Sequence, residues 1–327
     1  MGFTLSTSLF AQSEARQIEF TEFDLDNGLH VILHEDHATP LVAVTVLYHV
    51  GSKNEDPSRT GMAHFFEHLL FEGSEHIDRG EFDTYVENAG GVLNANTSMD
   101  RTFYYELLPS NQLELGLWLE SERMLHAKIE QVGIDTQNEV VKEEKRQRYD
   151  NQPYGQLLPK TMEAAYKEHP YQWTPIGSME HLDAATHADF MDFYQTFYVP
   201  ENATLSIAGD LNVAEAKELV EAYFADIPRG GRDIPRPDIV EPLRTAEVRD
   251  TVWGKDRLPM VLQAYPIPAQ GTPDYYAVDL LNQVLSGGES SRLNKRVVEQ
   301  DQLACLLYTS DAADDTPCVD LGGRRII

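Results

Sequence analysis

Two histidines and a glutamate in segment 64–68, reading HFFEH, are the residues of this chain best suited to chemistry. On a helix, His64 and His68 stand one turn apart and project from the same face. Their imidazoles can then share one tetrahedral metal ion, and Glu67 stands beside them to handle the proton of a metal-activated water. The pattern supplies two neutral nitrogen ligands, an open coordination position and a base that is not itself a ligand. Two ordinary histidines four apart would leave the same trace, so a third ligand has to be found elsewhere.

The surrounding stretch 60–73, TGMAHFFEHLLFEG, is expected to be helical. Neither Pro nor a β-branched residue interrupts 62–72, and Met62, Phe65, Phe66, Leu69 and Leu70 recur at helical spacing. Ser58 and Thr60 are the N-cap candidates and Gly73 the stop. Upstream, 18–25 and 29–36 read as strands around a turn at Asp26-Asn27-Gly28, and 41–52 as a central strand. Downstream, a helix over 79–88 is broken by Gly90-Gly91, and GVLNANTSM and RTFYYELLP read as two strands. Helices are expected at 111–127, 135–149, 156–167, 187–198 and 214–225, with a buried strand at 203–210. Four prolines and two glycines in 227–242 mark a linker. Beyond it, strands at 245–253 and 258–267 and helices at 274–285 and 291–300 weakly echo the first part of the chain.

The 327 residues are 42% hydrophobic and 24% charged, enough for one or two cores. No apolar run approaches the length of a membrane span. A net charge of −28 disfavours nucleic acid and anionic lipid as partners and suits basic or extended peptides. Cys305 and Cys318 are the only cysteines, so any metal before them is held by His, Asp or Glu. Residues 1–17 resemble the end of a secretory signal peptide, which would place the protein in the periplasm or outside the cell. Residues 305–327 lack periodicity and resemble translated adaptor read-through, so they are expected to be an artefactual or disordered tail.

The third ligand is sought on the helix DTQNEVVKEEKRQRY, where Gln137, Glu139, Glu143 and Glu144 compete. At about 100° per residue, Glu144 lies roughly 10° from the centre of the face set by Val140 and Val141, and Glu143 about 110° away. Glu144 therefore points inward, whereas Glu139 and Glu143 point outward. A carboxylate on a buried face must be paired or metal-bound. Arg148 leans to the same side, so on geometry alone a ligand and a plain ion pair with Arg148 are equal alternatives.

Five blocks in order resemble the inverted-zincin metallopeptidases of the pitrilysin, insulinase and mitochondrial processing peptidase type. They are YHVGSKNEDPSRTGMAHFFEHLLFEGS, GGVLNANTSMDRTFYYELLP, VVKEEKRQRYDNQPYG, HPYQWTPIGSMEHL and LSGGESSRL. The resemblance implies an α+β fold of two related α/β-roll domains, each a sheet covered by helices. A metal-binding peptidase domain would occupy 18–227, a linker 228–242 and a truncated second domain 243–304. It implies one Zn2+ per chain on His64, His68 and Glu144, with Glu67 as general base. Asn94, Ala95 and Thr97 match an edge strand that binds an extended peptide through its main chain. Gln137 departs from the family pattern, which often has a glutamate there. His49, His76 and His126 match no functional position and are expected to be structural or surface residues. The implied activity is zinc-dependent endopeptidase, completed by a second half or homologous subunit. The alternatives are a non-catalytic assembly subunit of the same fold, or a half that is inactive alone.

Overall fold

The computed structural model describes residues 18–254 and 258–307. Residues 1–17 and most of the expected tail therefore lie outside the described residues. The strands are β1 (Thr21–Asp24), β2 (His30–Glu35), β3 (Leu41–Tyr48), β4 (Val92–Thr97), β5 (Thr102–Pro109) and β6 (Ala203–Gly209). They form one mixed sheet in the order β1-β2-β6-β3-β5-β4, in which only the β2–β6 pair is parallel. The Val-rich run of β3 takes the expected central place. Val42, Val44, Val46 and Tyr48 are fully buried on one face, while Ala43, Thr45 and Leu47 are half-buried on the other. β4 is an edge, hydrogen-bonded on one side to β5.

The helices of the first unit are α1 (Met62–Leu69), α2 (Glu81–Asn88), α3 (Leu113–Leu125), α4 (Gln131–Lys145), α5 (Leu157–Ala165), α6 (Met179–Ala184), α7 (His187–Phe197) and α8 (Val213–Phe224). α1 is interior, touching α4, α7, β4 and β5. Its Phe65 packs on Phe190 of α7 and its Phe66 stacks on Phe193, with ring centroids 4.9 and 5.4 Å apart.

The start of α1 differs from the sequence expectation. Neither Ser58 nor Thr60 caps it; Gly61 occupies the N-cap in the left-handed region at φ +99°. A side chain is excluded there on two counts, since a Cβ would also sit 2.9 Å from the Ile176 carbonyl oxygen. The Thr60 hydroxyl instead lies 2.9 Å from His181 Nδ1. The helix also stops at Leu69, short of Gly73.

Residues 228–242 hold no helix or strand, as the prolines predict. They are nevertheless pinned to the first unit. Arg232 donates to Asp192 Oδ1 of α7 at 2.5 Å, and Arg236 to the His49 carbonyl at 2.7 Å. Beyond them, α9 (Pro273–Ser286) forms where a helix was expected, and Asn294–Gln300 is a π-helical turn. The expected strands at 245–253 and 258–267 do not form among the described residues. A strand requires a ladder partner as well as alternation, and none of the described segments pairs with them. Their apolar side chains stay open, Trp253 at 90% exposure and Val261 at 79%.

Candidate metal centre

His64 and His68 face α4 from consecutive turns of α1, their rings edge to face with centroids 4.9 Å apart. His64 Nε2 lies 3.5 Å from Glu144 Oε1, and His68 Nε2 lies 3.1 Å from Glu144 Oε2. One ligand atom from each residue falls within 4.8 Å of the other two. Glu144 is brought there by a stripe of α4 that differs from the one expected. Val141 is fully buried but Val140 is 43% exposed, so the inward line runs through Ile134, Gln137, Val141 and Glu144. Glu139 and Glu143 do point outward.

Glu144 also meets the ion-pair partner expected from the sequence, because Arg148 Nη1 stands 2.6 Å from its Oε1. Burial pushes the Glu144 carboxyl up, but hydrogen bonds from His64 and His68 and the charge of Arg148 outweigh it. The carboxyl is held well below the usual carboxylate range. The carboxylate is thus ionised, as a ligand must be. Glu67 does not join this cluster, and its buried Oε2 has no hydrogen-bond partner among the described residues. Two imidazole nitrogens, an ionised carboxylate and a nearby unpaired carboxylate oxygen fit a zinc-type ion with an open position.

A cleft of about 270 Å³ opens beside the cluster, lined by Glu67, His68, Phe71, Asp83, Leu93, Asn94 and Ala95. It joins α1 to the edge strand. The Ala95 N–H donates to the side chain of its neighbour, Asn94 Oδ1, at 2.8 Å, while the Ser98 N–H donates inward to the Arg101 carbonyl at 2.8 Å. By antiparallel alternation Ala95 and Thr97 present main-chain groups to the open edge, while Asn94 pairs inward with Tyr105. Asn94 lines the cleft as well. The Thr97 side chain is buried.

The supports of α1 were not legible in the sequence. Buried Glu55 accepts from the Gly61 and Ala63 amides at 2.9 Å each, and from the Trp173 indole at 3.1 Å. It replaces the missing cap side chain at the positive end of the helix. At the other end, Tyr104 donates to the Phe66 carbonyl at 3.0 Å and Arg123 to the Leu70 carbonyl at 3.2 Å. Gln137 donates to Glu72 Oε1 at 2.5 Å, tying α4 to the segment after α1. An acidic residue six positions before a glycine N-cap is the one local trace of Glu55, and it is too common to single out.

Burial pushes the Glu55 carboxyl up to about 8 against these hydrogen bonds, from an ordinary 4.5. Between those values the folded chain holds a proton that the unfolded chain has released, so stability should fall as pH rises through this window. Urea midpoints of wild type and Glu55→Gln across it are expected to differ in slope by close to one proton. Parallel curves would show that Glu55 is charged throughout.

The chain matches two family models, insulinase (peptidase family M16) over residues 30–177 and the peptidase M16 inactive domain over 184–314. His64, Glu67, His68, Asn94, Ala95, Thr97 and Glu144 all fall within the first. Zinc protease PqqE of Helicobacter pylori is 36% identical over 310 residues, 94% of this chain and 69% of that relative. A solved protease from Helicobacter pylori has a TM-score of 0.79 at 32% identity, covering 89% of this chain and 70% of that one. The first half of the periplasmic protease PqqL from Escherichia coli has a TM-score of 0.60 at 26% identity, over 66% of this chain and 48% of that one. The chain spans about two thirds of the length of curated relatives such as these zinc proteases. With a relative this similar along almost its whole length, the chain belongs to the insulinase family, peptidase family M16.

Proposed function

We propose that this chain is the metal-bearing part of a zinc-dependent endopeptidase that cleaves peptides bound in extended form. The observation that carries this reading is the convergence of His64, His68 and Glu144 beside a cleft shared by Glu67 and the edge strand β4. His64, His68 and Glu144 would hold one zinc ion. When bound, that ion supplies a Lewis acid and lowers the pKa of water toward neutrality. Glu67 takes the proton of the attacking water and returns it to the leaving amine. The outward main chain of Ala95 and Thr97 adds the substrate as a further strand, and the Asn94 amide contacts it from the cleft.

A second half, from further chain or a homologous subunit, completes the chamber. The reading is supported by the exposed apolar side chains of 245–267 and α9, including Leu280 at 67% exposure. It is supported too by neighbours such as PqqL, of which this chain covers a quarter of the whole and about half of the solved first half. No helix among the described residues is long and apolar enough to cross a membrane. A periplasmic or secreted location agrees with the description of PqqL as periplasmic.

The test is zinc content and cleavage of an unstructured peptide, each measured with Glu144→Ala. The variant is expected to lose tightly bound zinc, because two histidines alone leave the ion a ligand short, and to lose cleavage with it. A variant that holds zinc as tightly as wild type would overturn the ligand assignment. Wild type that binds no zinc would overturn the proposal itself.

A further inference from the structure

His76, Glu122 and His126 form a second cluster, at the segment that follows α1. One ligand atom from each lies within 4.8 Å of the other two. Nothing in local spacing connects them, since His76 sits in the loop between α1 and α2 while Glu122 and His126 close α3. The backbone makes the connection. Ser74 and Ala127 form an antiparallel bridge, flanked by Glu75 N–H to the His126 carbonyl at 3.0 Å and Lys128 N–H to the Gly73 carbonyl at 3.1 Å. Both histidines therefore project from fixed positions, with ring centroids 5.2 Å apart.

Glu122 is the unusual member. Its side chain is only 7% exposed, so its charge needs compensation. Among the described residues no lysine or arginine pairs with it; its partners are the Ser74 hydroxyl at 2.5 Å and His76 Nδ1 at 2.9 Å. The hydroxyl orients one carboxylate oxygen and leaves the other toward the imidazoles, as an outer hydrogen bond does for a metal ligand. Glu75 adds a fourth candidate ligand, its Oε2 3.1 Å from His126 Nδ1. The outer side is open to solvent, with His76 56% exposed.

We propose that His76, Glu122 and His126 form a second divalent-cation site, of a chemistry suited to zinc and related transition ions, with Glu75 or water completing the coordination. Two imidazoles and a carboxylate select this class over magnesium or calcium, which prefer all-oxygen shells. The cleft of the first centre is not shared by any of these residues. Bound there, the ion ties the α1–α2 loop to the end of α3. It acts as a staple on the segment holding Glu72, which Gln137 of α4 also grips.

The full chain carries the test, read as zinc equivalents retained after gel filtration. His76→Gln with His126→Gln, both at solvent-facing positions, is expected to lower the retained zinc from two equivalents to one. His64→Ala with His68→Ala is expected to keep one equivalent, and the four substitutions together none. An unchanged stoichiometry in the first double variant overturns the second site, whether or not the His64→Ala/His68→Ala chain folds. Zinc retained by the fourfold variant overturns it equally. Loss of zinc from wild type at the first centre alone, with one equivalent still removed by His76→Gln/His126→Gln, would instead fail the proposed function and leave this site standing.

Discussion

Glu67→Gln is expected to leave zinc binding intact and to lower peptide turnover by about 10²–10⁴-fold, the usual contribution of a general base. The substitution preserves shape and removes the capacity to take a proton. Zinc should stay because Glu67 stands outside the converged set of His64, His68 and Glu144. Turnover should fall because Glu67 reaches the cleft with a buried oxygen that no other group among the described residues engages. The effect should appear in kcat more than in KM, since the lost interaction forms only as the proton moves. The comparison is zinc content by metal analysis and cleavage of one unstructured peptide by both proteins, with the completing half supplied where the chain needs it. Equal turnover would remove Glu67 from the mechanism, and loss of zinc would make it a ligand.

Arg123→Met is expected to destabilise the fold by about 3–5 kcal/mol, the range for removing one partner of a buried ionic cluster. Arg123, Glu106 and Glu120 are all fully buried. Arg123 Nε donates to Glu120 at 3.0 Å, Nη2 to Glu106 at 3.4 Å and Nη1 to the Leu70 carbonyl at 3.2 Å. Its guanidinium also lies 4.4–4.8 Å from the ring centres of Tyr104, Phe71 and Phe82. Burial and the neighbouring Glu120 push the Glu106 carboxyl well up, against the pull of Arg123. Without Arg123 the two carboxyls keep only each other, and the end of α1 loses a donor. Methionine fills much of the volume, so the loss reports on charge and hydrogen bonding more than on a cavity. Urea unfolding measures it. Adding Glu106→Gln and Glu120→Gln should restore part of the stability, and a single-variant loss under about 1 kcal/mol would show that the cluster is not ionised.

What could be read in the sequence was what depends on neighbours along the chain. The HFFEH pentad, the alternation in β3 and the glycines after α2 are short-range patterns, and each produced its element in place. Glu144 was half legible. Helical periodicity gave its direction, although Val140 proved exposed, because two adjacent valines do not reveal which of them leads the buried stripe. The family blocks carried the ligand assignment where geometry left Arg148 as an equal partner, and in the structure Glu144 meets both histidines and Arg148.

Long-range partnership was not legible. The hydroxyls of Ser58 and Thr60 are the local cap candidates for α1, yet Glu55 accepts from its first amides, steadied by Trp173 from 118 positions away. The patterns at 245–253 and 258–267 read as strands, but alternation is local and a ladder is not, so without a partner among the described residues the segments form no strand and their apolar side chains stay exposed. Which main-chain groups of the edge strand face outward was not legible for a similar reason, since pairing register decides it. His76 and His126 read as unrelated surface histidines until a two-strand bridge set them on either side of Glu122. The sequence by itself determined the chemistry available: two imidazoles and a carboxylate on one helix, and a glutamate aimed inward from another. Only the tertiary structure decided which buried charges meet and which remain unpaired, because the cost of burying a charge depends on partners that folding brings from distant parts of the chain.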